Sequence, residues 1–68
     1  MSKKQDMLAL AKQRIESARS LSRVHEWNRA DDELRKAIEL IKVAGLAGGS
    51  IHASAEALRR VCDKRLGR

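Results

Sequence analysis

Between Trp27 and Ala44 the apolar residues fall in alternating steps of three and four: Trp27, Ala30, Leu34, Ala37, Ile41 and Ala44. That spacing keeps them on one face of an α-helix. Ile38, Leu40 and Val43 add apolar surface outside the stripe, so the second half of this helix must be covered from more than one side. The cover has to come from a chain of only 68 residues, which is room for a single domain.

The rest of the composition agrees with an all-α fold. Proline is absent, no run of alternating β-branched residues occurs, and Ala, Leu, Lys, Arg and Glu dominate. The first apolar stripe is Leu8, Ala11, Ile15 and Ala18, widened by Met7, Leu10 and Leu21. A last one, Ile51, Ala55, Leu58, Cys62 and Leu66, is widened by Val61 and follows Gly48-Gly49. The sequence predicts helices over about 3–22, 26–45 and 50–66 of a single helical domain, 1–68. Ser2 is the candidate N-cap of the first, Ser22 or Asn28 of the second and Ser50 of the third.

No glycine or proline occurs between Lys3 and Ala44, so one long helix is the alternative for that stretch. The stripes oppose it. Continuing the first stripe past Ala18 lands on Ser22, His25 and Arg29, all polar, whereas the next stripe begins at Trp27. A displacement of about two positions turns the apolar face by roughly 200°. A turn near residues 23–27 brings both faces inward, which makes the first two segments a hairpin. Gly45 and Gly48-Gly49 then end the second helix and loosen the link to the third. The third helix can pack on its own hairpin or exchange with another copy.

Ala18 and Leu21, followed by Trp27, Ala30, Leu34 and Ala37, resemble a tetratricopeptide-type helix pair. In that repeat an aromatic residue opens the second helix and small, large and small residues follow at these intervals. The microtubule-interacting-and-trafficking domain is similar in this helix and in having a basic third one. The resemblance covers about residues 18–40 and implies a protein-binding helical hairpin. It departs at His25, where the repeat has a small residue, and in lacking a glycine at the turn and a closing proline.

The expected core is Leu8, Ala11, Ile15, Ala18, Trp27, Ala30, Leu34, Ala37, Ile41, Leu58 and Cys62. It is poor in aromatics, with Trp27 the only one, and a core of alanine and leucine buries little area per residue. A chain this short is marginal without disulfide, metal or partner. Cys62 is the single cysteine, which rules out an internal disulfide, and His25 and His52 have no neighbours at metal-ligand spacing. The expected support is a homodimer.

The net charge of +6 is uneven: +4 over residues 1–24, −1 over 25–47 and +3 over 48–68. A basic last helix suits nucleic acid or an acidic protein. Against nucleic acid stand the lack of stacking aromatics beyond Trp27 and of a helix-turn-helix spacing. Asp31-Asp32-Glu33 reads as a group of dipole partners near a helix start, Cys62 as an inert buried thiol, and His25 and His52 as solvent-facing or capping residues. None of these makes a pocket of converging polar groups, so no enzyme and no cofactor are expected.

The expected activity is non-enzymatic protein binding: an adaptor, a chaperone or an inhibitor of a partner protein, of the kind bacteria, phages and plasmids encode. Leu40, Val43, Leu46, Arg59, Arg60 and Lys64 are the expected partner-binding residues. The alternative is a basic nucleic-acid-binding accessory or transcriptional regulator. No run approaches the ~20 apolar residues of a membrane span, Met7–Ala11 is too short for a signal peptide, and a lone thiol suits a reducing, cytoplasmic location.

Overall fold

A computed structural model describes residues 3–68. Three helices follow one another: α1 (Lys3–Arg23), α2 (Trp27–Val43) and α3 (Ser50–Arg65). The candidate cap Ser2 lies outside the described residues. The molecule measures about 38 × 20 × 15 Å. α2 is its centre, packed against α1 on one side and α3 on the other, while α1 and α3 barely meet.

The phase break ahead of Trp27 is a turn over residues 24–26. His25 occupies the left-handed region, φ 62°. Its N–H donates to the Ser22 carbonyl (3.1 Å), and that of Glu26 to the Leu21 carbonyl (2.9 Å). This crossed pair is the Schellman ending of a helix, normally built on glycine. Here a histidine takes the strained position, at a conformational cost of roughly 1–2 kcal/mol. The same pair recurs after α2, from Gly45 to Lys42 and from Leu46 to Ile41, and after α3, from Gly67 to Lys64 and from Arg68 to Asp63.

These endings set the helix bounds. Glu26 closes the α1 turn, and residues 44 and 45 form the α2 cap, so α2 covers Trp27–Val43 rather than 26–45. α1 runs one residue past the expected end, and α3 stops at Arg65. Side-chain N-caps at Ser22, Asn28 and Ser50 are not formed. The N-caps are Glu26 and Gly49, neither with a side-chain cap bond. At α3 the work passes to His52, three residues past the cap, whose Nδ1 accepts the Gly48 N–H at 2.7 Å. That bond requires an unprotonated Nδ1.

The core consists of Ala11, Ile15 and Ala18 from α1, Ala30, Leu34, Ala37, Ile38 and Ile41 from α2, and Ala55 and Cys62 from α3. Alanine dominates, which lets the helix axes come close. Leu34, Ile41 and Cys62 are the largest side chains wholly out of solvent. Leu8, Trp27 and Leu58 sit half-buried, the last two packed against the core from its edge.

Candidate functional site

α2 presents two inward faces. The stripe Ala30, Leu34, Ala37 and Ile41 is overlapped by a second series, Asp31, Leu34, Ile38 and Ile41, in steps of three, four and three. Asp31 therefore takes a core position, and it is the buried charged residue among those described, 3% exposed. Three arginines meet its carboxylate. Arg35, one turn along α2, places Nε 3.0 Å from Oδ2. Arg68 donates from Nη1 to Oδ2 at 3.1 Å, and Arg59 of α3 makes a longer contact from Nε to Oδ1 at 3.4 Å. The Schellman ending of α3 turns the chain back and delivers Arg68 to this place.

A buried carboxylate without partners would be strongly destabilising. With three guanidiniums it becomes the polar fastening between α2 and α3. Arg14 does the same on the other side, donating from Nη1 to both Glu33 oxygens, 3.3 and 3.0 Å away. Asp32 faces outward to Lys36 at 3.1 Å, an exposed pair that contributes little. The acidic run thus has three separate destinations: α3, solvent and α1.

Cys62 lies in the same layer as Asp31 and is fully buried. Burial is the main cause that pushes its thiol pKa up. The negative charges of Asp31 and Asp63 act in the same direction, and Arg68 opposes them. A thiol held protonated in this way is a poor nucleophile.

Trp27 stands where the α1–α2 turn meets the last turns of α3. The His25 ring stacks on it with centroids 5.7 Å apart and planes 12° from parallel, and the Arg65 guanidinium lies 5.5 Å from its ring centroid. A hollow beside this corner is lined by Val61, Lys64 and Arg65. An open cleft between α1 and α3 is lined by Lys12, Ile15, Glu16, Arg19, Ile51 and Ser54.

The six expected partner-binding residues divide. Leu40 and Leu46 are half-buried and pack against the core, because α2 is covered on two faces and its end bends into the link. Arg59 is drawn inward by Asp31. Val43 is 62% exposed, and Arg60 and Lys64 face solvent, with no ion pair to any described residue. The structure adds Val61 and Arg65 to that outer face. Asp31 carried a readable signal, a charge at a core position of α2 facing an arginine-rich helix. As one of three consecutive acids it reads as a dipole partner instead.

No described helix is long and apolar enough to cross a membrane. Comparison with protein-family models, characterised proteins and solved structures finds no match, so a functional reading rests on these residues.

Proposed function

We propose that this chain is a small non-enzymatic interaction module that binds another protein, as an adaptor, chaperone or inhibitor. The exposed large apolar side chains carry this reading: Val24 (68%), Val43 (62%), Val61 (45%) and Leu10 (42%). Single exposed apolar residues are ordinary. Here, however, four are left outside by a chain whose core is half alanine and which has little apolar area to spare. Leu10 on α1 and Val43 on α2 are available to a second copy, and homodimerisation is part of the proposal.

A second reading, a basic nucleic-acid-binding accessory, draws on the uncompensated cations of α3. The two separate in one pair of measurements. The protein as bait in its native host should retain a discrete partner, and it should leave DNA and RNA unshifted in a mobility assay at ~50 mM salt. Tight nucleic-acid binding with a steep salt slope, and no retained partner, would overturn the proposal.

A further inference from the structure

The two carboxylates of α3 lie on its flank, away from its outermost face. Glu56 stands 3.3 Å from His52 Nε2, and Asp63 stands 3.7 Å from Arg68 Nη1. Arg60 and Lys64 share one face of the helix, with Arg65 on its edge toward Trp27; all three are exposed, and none lies within ion-pair distance of a described carboxylate. α1 and α2 also keep cations outside ion pairs, Lys12 and Arg23 on the one and Arg29 and Lys42 on the other, but none of these flanks an apolar strip like that of α3. Within the basic face runs a low apolar strip, Ala53, Ala57 and Val61, one turn apart and exposed. It ends at the hollow of Val61, Lys64 and Arg65.

We infer that this face of α3 docks an acidic amphipathic helix of a partner protein. Its carboxylates pair with Arg60, Lys64 and Arg65, and an apolar side chain seats against Val61. The chemistry selects this occupant. Two copies related by a two-fold axis through α3 would bring like cations together, which opposes association. A nucleic-acid backbone would satisfy the cations but gain nothing from the alanine–valine strip. The lone aromatic ring, moreover, is already engaged by Arg65 and His25. Small residues allow a second helix to lie close, and Arg65, steadied over Trp27, has less freedom to lose on binding.

The inference rests on the protein-binding reading above, and its test separates the two. The probe is a fluorescein-labelled synthetic peptide of about 20 residues, long enough for helix formation, with leucine at i, i+3, i+4 and i+7 and glutamate around it. Controls are the same peptide with leucine replaced by serine, and a duplex DNA of equal charge. Fluorescence anisotropy should show the leucine peptide bound most tightly, with affinity falling as salt rises. The double variant Arg60→Glu/Lys64→Glu should weaken it at least about tenfold, with Val61→Ser weakening it less. Circular dichroism should show both variants folded. If the double variant does not fold, Arg60→Gln/Lys64→Gln replaces it, with a loss of about fivefold expected.

Equal binding of the serine peptide, undiminished binding by the variants, or tighter binding of DNA would each overturn the inference. If the double variant used as bait retains its host partner as well as the parent does, the docking face is wrong while the protein-binding reading stands. If no partner is retained and DNA binds, both fall.

Discussion

Asp31 concentrates more of the fold's electrostatics than any other residue. Its partners Arg35, Arg59 and Arg68 keep 56%, 32% and 44% of their side-chain surface exposed. Asp31→Ala frees them to return to water, which limits the penalty. The loss should be about 1–3 kcal/mol, below the 3–5 kcal/mol of a broken, fully buried pair. Urea denaturation measures it, and an unchanged midpoint would show that the cluster does not fasten α3. Cys62 gives a second measurement at this scale. Its folded pKa lies above the ordinary value, so the native state holds the proton more tightly than the unfolded chain. Its contribution is therefore complete below the unfolded thiol pKa of about 8.5 and is lost as pH rises through the folded value. Thiol labelling should be slow near neutral pH until urea unfolds the protein. Above about pH 8.5 the parent should lose stability faster than Cys62→Ala.

The elements differ in how firmly they are held. α2 touches both neighbours, whereas α3 packs on α2 with little from α1 and follows a glycine-bearing link. Amide exchange should be slowest in residues 27–43 and clearly faster in 50–65, because weakly packed elements open first. Equal protection across the three helices would contradict this order. The same elements show how far the sequence could be read. The α2 stripe and its phase break indicated a hairpin, since side-chain spacing reports helix faces directly. The ends were less legible. Glycine-free α1 stops because His25 accepts a positive φ, a choice that propensity does not announce. Ser22, Asn28 and Ser50 are good caps by type, but the chain enters α2 and α3 through Glu26 and Gly49. The candidate binding face was partly visible. Arg60 and Lys64 follow from charge count alone, while Arg59 could be removed from that face only by knowing where Asp31 points.

As a whole the molecule is a +6 chain with a thin core, and self-association must overcome repulsion between its copies. The proposed homodimer should sediment at about 15 kDa, twice the 7.6 kDa chain. Its affinity should rise with added salt as that repulsion is screened. A 7.6 kDa species persisting at ~100 μM in ~0.5 M salt, where screening is nearly complete, would exclude it. The carboxylate shared by Arg35, Arg59 and Arg68 has one more consequence, for how this chain can vary. Each arginine is backed by two others, so any one can be exchanged while the carboxylate keeps company. The carboxylate itself has no substitute, and its loss undoes all three contacts at once. Tolerance to change should therefore be lopsided, with the three arginines free to drift one at a time around an aspartate that cannot.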